Sequence, residues 1–102
     1  MHALLETRKA DLTRICRLYG LKTMYVFGSA ASGHFREDSD IDFLIAFPDT
    51  VSVEEYMNSY FALHYALREI FHREIDILTE RSLSNPYLIE SINETKELIY
   101  EA

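Results

Sequence analysis

Tryptophan is absent from this 102-residue sequence, and cysteine, proline and glycine are scarce at one, two and three residues. The lone cysteine, Cys16, has no partner within the chain, so a disulfide framework is excluded and the cytoplasm is the simplest expected compartment. With so little Gly and Pro, collagen-like structure and flexible linkers are excluded as well. No apolar run approaches the roughly 20 residues of a membrane-spanning helix, and Met1 to Thr7 lacks the cationic and apolar sections of a signal peptide. Repeats and low-complexity tracts are also missing.

Positive charge is in short supply. Ten Lys and Arg residues face 17 acidic ones, for a net charge of −7. That balance favours solubility and opposes binding to a phosphate backbone, so no direct nucleic-acid partner and no membrane partner are expected. A small anionic ligand held with metal ions is compatible, because the ions bring the charge the chain lacks. What is present is ordinary for a soluble fold: 48% hydrophobic and 26% charged residues. The length is that of one domain, residues 1–102.

Leu4, Leu5, Leu12, Ile15, Cys16 and Tyr19 recur at helical spacing, and Gly20 follows where a left-handed cap would stop a helix. Thr23 to Phe27 reads as a short strand, followed by a small-residue loop from Gly28 to Gly33. Asp40 to Phe47 alternates, with Ile41, Phe43, Ile45 and Phe47 on one face and Asp40, Asp42, Leu44 and Ala46 on the other. From Val53 to Phe71 helical spacing returns in Tyr56, Met57, Tyr60, Phe61, His64, Leu67, Ile70 and Phe71, and Glu74 to Thr79 forms a third strand. Asn85 and Pro86 have the chemistry of a helix cap and first turn, opening a helix to about Asn93. Lys96 to Tyr100 fits either a last strand or a frayed helical end. The order predicts an α/β (α+β) fold, a small β-sheet flanked by helices. Too few residues separate the loop from the second strand for a helical crossover, so the sheet should be mixed.

Aspartate is a poor strand former, yet three aspartates fall on the expected strands. Asp40 and Asp42, two apart, project from one face with backbones roughly 6.5 Å apart. Asp76 lies between Ile75 and Ile77 in the same local pattern, and joins the other two if its strand is the neighbour. Such carboxylates can share two magnesium ions about 3.5–4 Å apart, an arrangement suited to in-line displacement at phosphorus. Singly, each aspartate is explained as a turn or edge residue; the conjunction points to a site. Gly28 and Ser29 directly follow the first strand, where glycine permits close backbone approach and Ser29 with exposed amides can donate to phosphate oxygens. Ser29 to Ser32 could begin a short helix.

Together these parts read Gly28-Ser29, ten residues, Asp40-Ile41-Asp42, then Asp76 one strand later. The stretch GSAASGHFREDSDIDFLI resembles the signature of the nucleotidyltransferase superfamily that includes DNA polymerase beta, and most closely its minimal nucleotidyltransferases. The resemblance implies a polymerase-beta-like fold, two Mg2+ ions on Asp40 and Asp42, and a catalytic metal and hydroxyl activation at Asp76. It implies that Gly28 and Ser29 hold the β- and γ-phosphates of a nucleoside triphosphate, normally ATP. The implied reaction moves a nucleoside monophosphate to a hydroxyl and releases pyrophosphate, largely by positioning and charge neutralisation. The pattern departs at Ser32, where relatives commonly carry an arginine; Arg36 or a partner chain could substitute.

Minimal nucleotidyltransferases are frequently antitoxins paired with a helical HEPN ribonuclease toxin, on which they adenylylate a tyrosine. The resemblance therefore implies a hetero-oligomer with a HEPN-type toxin. Tyr56, Tyr60, Phe61 and Tyr65 could contribute to its interface, although the first three equally have the spacing of a core stripe. Two other functions compete: a binding module that inhibits by contact alone, and a small-molecule nucleotidyltransferase acting on aminoglycoside-like hydroxyls. His2, His34, His64 and His72 lack metal-ligand spacing. His34 in the loop reads as solvated, Cys16 as a buried structural thiol, and Arg8, Lys9, Arg14 and Arg17 as a solvated helix face.

Overall fold

A computed structural model describes residues 2–33, 36 and 38–102. The loop residue His34 lies outside that set. Where the spacing predicts one opening helix, the chain forms two, α1 (Ala3–Thr7) and α2 (Lys9–Leu18). Thr7 accounts for the break: its hydroxyl donates to the carbonyls of Ala3 (2.6 Å) and Leu4 (3.2 Å), a back-bond that bends helices. Gly20 then closes α2 in the left-handed region (φ +66°). The Leu21 amide donates back to the Cys16 carbonyl at 2.9 Å, as in a helix-ending Schellman turn.

Strand β1 (Thr23–Phe27) leads through Gly28 into a single turn, α3 (Ser29–Ser32), and then to β2 (Ile41–Ala46). The long helix α4 (Val53–Phe71) begins at Ser52, whose side chain accepts from the Glu55 amide, and crosses to β3 (Ile75–Thr79). Beyond a 3-10 turn at Glu80–Ser82, α5 (Pro86–Thr95) starts on an Asn85 side chain that accepts from the amides of Tyr87 and Leu88. The last segment is a strand, β4 (Glu97–Glu101), antiparallel to β1.

The sheet order is β3-β2-β1-β4. β1 and β2 are antiparallel, whereas β2 and β3, joined through α4, are parallel. The sheet is thus mixed, as the short first connection requires. Ile41, Phe43 and Ile45 from β2 meet Leu12, Ile15 and Cys16 from α2 and Leu63, Leu67 and Phe71 from α4 in one buried cluster. Burial of each large aliphatic side chain there stabilises the fold by about 1.5–3 kcal/mol. The α4 stripe that enters this core differs from the one expected. Leu63, Leu67 and Phe71 are buried and Tyr56 and Tyr60 half-buried, but Met57 and Phe61 are exposed. A helix lying on one sheet face buries only one stripe, and these two fall outside it. Among the described residues, no helix is long and apolar enough to cross a membrane.

Candidate active site

The alternation of β2 sends Phe43 into the core and Asp42 to the other face. Parallel register then sets Asp42 directly beside Asp76 of β3. Neighbouring strands lie about 4.8 Å apart, so the carboxylates of residues in register on one face meet. The Asp42 carboxyl is pushed up to about 6. Partial burial is the main cause, followed by the charge of Asp76 and the hydrogen bond that protonated Asp42 can donate to Asp76, then by the charge of Asp40. Desolvation and like charges both penalise ionisation, so Asp42 is poised to hold a proton or to receive a cation.

Gly28 borders the same carboxylate. Phe27 is the register partner of Asp42 on the other side, so the chain leaving β1 turns beside it. A Cβ at Gly28 would lie only 2.6 Å from Asp42 Oδ2, and the backbone there has φ +71° and ψ −144°. Both conditions demand glycine. The Gly28 carbonyl accepts from the amides of Ala31 (3.2 Å) and Ser32 (3.0 Å), which winds α3. The Gly28 amide donates to Thr95 Oγ1 at 3.0 Å. This amide is therefore engaged by α5.

Asp40 sits one residue before β2, exposed, in a segment fastened from β3. The Arg73 guanidinium donates to the carbonyls of Arg36 (2.7 Å) and Ser39 (3.1 Å). The Ile41 amide donates to the Glu74 carbonyl at 3.1 Å. These contacts hold the entry to β2 against the start of β3 and bring the Asp40 charge within reach of Asp42. Ser29 is half-buried at the start of α3, while the Ser32 and Arg36 positions are exposed. Lys96 brings a cation to the sheet face that carries Asp42, 4.7 Å from the centre of the Tyr25 ring. Near it, α5 and β2 enclose a cleft of about 310 Å³ lined by Leu44, Glu80, Leu83, Ile89 and Lys96.

The fold therefore sets Asp42 between Asp76 and the Gly28 turn, with Asp40 and Ser29 at the margin. Among the described residues, no group of three His, Cys, Asp or Glu side chains converges as a finished metal site. Asp42 and Asp76 are register partners, whereas Asp40 stands one residue outside the strand. The donor chemistry fits a hard cation nonetheless, since carboxylate oxygens suit Mg2+. Thr95 and Arg73 were not expected from the sequence. Neither carries a local signal, because each acts on residues distant in the chain.

A family model described as a nucleotidyltransferase domain matches residues 11–99. The chain belongs to this nucleotidyltransferase family. Its curated relatives include "Putative protein adenylyltransferase MJ1379" of Methanocaldococcus jannaschii, 37% identical over 84 residues that cover 80% of this chain and 78% of the relative. Among solved structures, one described as a "putative minimal nucleotidyltransferase" is 31% identical, covers 95% of both chains and has a TM-score of 0.69. A complex described as a tri-AMPylated Shewanella oneidensis HEPN toxin with MNT antitoxin matches at TM-score 0.62 and 19% identity. It covers 95% of this chain and 72% of that one, and shows likeness of fold. The nucleotidyltransferase thus has the α/β architecture of its family, with the sheet edge bearing Asp42 and Asp76 beside the Gly28 turn.

Proposed function

We propose that this nucleotidyltransferase transfers AMP from ATP to a tyrosine hydroxyl of a HEPN-type toxin and serves as that toxin's antitoxin. The observation that carries the reading is the register match of Asp42 with Asp76, tight against Gly28. Two like charges so placed call for divalent cations; Asp40, Asp42 and Asp76 are the residues that would hold Mg2+. The ions would neutralise triphosphate charge and favour the alkoxide form of the acceptor. Gly28 lets the chain pass close to the phosphates, and the Ser29 hydroxyl is a donor at the same turn. Asp76, more exposed than Asp42, is the carboxylate that would accept the acceptor's proton. The adenylyltransferase relatives and the AMPylated-toxin neighbour support the choice of AMP and of a protein acceptor.

Ser32 favours a second reading. With serine where relatives carry arginine, one source of phosphate-binding charge is missing, which fits an antitoxin that inhibits by contact alone. One experiment separates the readings. The chain is incubated with ATP labelled on the α-phosphate, Mg2+ and a candidate HEPN protein, and the label is mapped. Labelled toxin tyrosine, lost with Asp42→Asn and with Asp76→Asn, supports transfer. Labelling that survives Asp42→Asn removes the two-metal assignment, and neutralisation without label favours the contact inhibitor. Label on an aminoglycoside-like alcohol instead would redirect the acceptor to small molecules.

A further inference from the structure

The exposed side of α4 carries an apolar stripe from Val53 to Tyr65. Val53, Met57, Phe61 and Tyr65 stand four residues apart and are 80%, 44%, 54% and 71% exposed, a seam of about 18 Å on a straight helix. Shallow apolar grooves run beside it against β3, lined by Tyr56, Met57, Tyr60, Phe61, Ile77 and Thr79. Isolated exposed apolar residues need no explanation, but a continuous stripe marks a contact surface.

Two observations limit what can lie there. β3 is an edge strand, yet its outward carbonyls are already covered. The Tyr60 hydroxyl donates to the Ile77 carbonyl (3.1 Å), and the His64 Nε2–H donates to the Ile75 carbonyl (3.0 Å). An incoming strand would find these acceptors occupied, so the surface suits a helix rather than an added strand. The charges flanking the seam are also self-complementary. Glu54 and Glu55 lie at one end, with Arg81 beside Tyr56 (5.9 Å); Arg68 and Glu69 lie at the other.

We propose that α4 packs against α4 of a second copy of this chain, antiparallel, with Phe61 at the two-fold axis. In that register Met57 meets the second copy's Tyr65, and Glu54 meets its Arg68. Glu69 of each copy then comes to the Val53 end of the other, where Arg81 stands. A parallel pairing would set Glu54 against Glu54 and Arg68 against Arg68. A foreign helix of one charge sign would be attracted at part of the seam and repelled at the rest. Arg68 now pairs with Glu74 at 3.2 Å with both side chains exposed, an arrangement weak enough to exchange partners. The contact is isologous, as two-fold dimers are. The aspartates lie on the opposite sheet face, so the dimer leaves the catalytic edge open.

A contact built on four exposed apolar side chains per copy is expected to half-dissociate at about 10–100 µM. Sedimentation velocity across that range tests it. The unmodified chain should pass from monomer to dimer, and Phe61→Glu should weaken association on the order of 100-fold with its melting temperature retained. Arg68→Glu should weaken the dimer, and adding Glu54→Arg to it should restore the dimer. A chain monomeric throughout overturns the proposal, as does a dimer indifferent to Phe61→Glu or a charge swap without rescue. A monomer that loses a toxin partner on Phe61→Glu would assign the seam to that partner instead. Nucleotide transfer by Phe61→Glu is measured alongside, so failure of the dimer and failure of the adenylylation reading are seen separately.

Discussion

Gly28 and Asp42 are separated by less than the room a methyl group needs: a Cβ on the glycine would lie 2.6 Å from the aspartate's Oδ2. The turn and the carboxylate thus constrain each other, and substitution at one moves the other.

Gly28→Ala should therefore lose stability and chemistry together. Its φ of +71° and ψ of −144° are hostile to a side chain, and with the clash the cost should be about 2–3 kcal/mol. Displacement of Asp42 should lower transfer about 100-fold. Gly20→Ala is the control, with φ +66° but nothing within 4 Å of the added Cβ. It should cost about 1–2 kcal/mol from backbone strain and leave transfer intact. Urea unfolding and labelled-ATP transfer measure both.

Asp42→Asn should make the protein more stable and inactive at neutral pH. The folded-state value of about 6 lies above the ordinary 3.8. The folded chain therefore binds more protons in this interval, and the stability that Asp42 contributes is full below 3.8 and lost as pH rises through 6. Asparagine can still donate to Asp76 without the charge. After discounting for solvent screening at this half-buried position, the gain at pH 7.5 should be on the order of 1 kcal/mol. Melting curves from pH 4 to 7.5 should show a flatter slope for Asp42→Asn and convergence with the parent near pH 4. An unchanged slope would show that Asp42 does not titrate there.

Arg73→Ala should loosen the entry to β2. Removing a charged donor from two carbonyls, at 2.7 and 3.1 Å, should cost about 1–2 kcal/mol. Because the tether holds the segment leading into Asp40, the Mg2+ concentration for half-maximal transfer should rise severalfold. Arg68→Ala, measured at concentrations where the chain is monomeric, loses only an exposed ion pair and should change stability by less than about 0.5 kcal/mol. Equal effects of the two substitutions on Mg2+ dependence would disprove the positioning role.

Cys16 should be silent toward thiol reagents while the chain is folded. Burial pushes its thiol up to about 12, and its Sγ lies 3.6 Å from Met24 Sδ inside the core. The raised value favours the neutral thiol, so its contribution to stability is intact below pH 9 and declines only at higher pH. At pH 8, labelling with a chromogenic disulfide should proceed at the rate of unfolding and accelerate with urea in step with it.

Much of this site could be read from local pattern. Alternation from Ile41 to Phe47 fixes the face of Asp42, and the short first connection anticipates a mixed sheet. Ser52 and Asn85 mark helix starts by their capping chemistry. Other features could not be read locally. The Thr95–Gly28 bond joins positions 67 apart and Arg73 reaches back more than 30; neither leaves a periodic trace. Helical spacing groups Phe61 with Tyr60 and Leu67, but only docking on the sheet decides which stripe is buried. β4 stayed ambiguous because its ladder partner, β1, lies far upstream in sequence.

The bond from the Gly28 amide to Thr95 has a bearing on how activity arises during folding. A half-assembled chain with β1, β2 and β3 paired but α5 undocked would already display its acidic residues, yet its glycine turn would lack an anchor. Such a species could attract cations without presenting a set turn to a nucleotide. The set of the glycine turn thus depends on the docking of α5, through one hydroxyl 67 positions downstream.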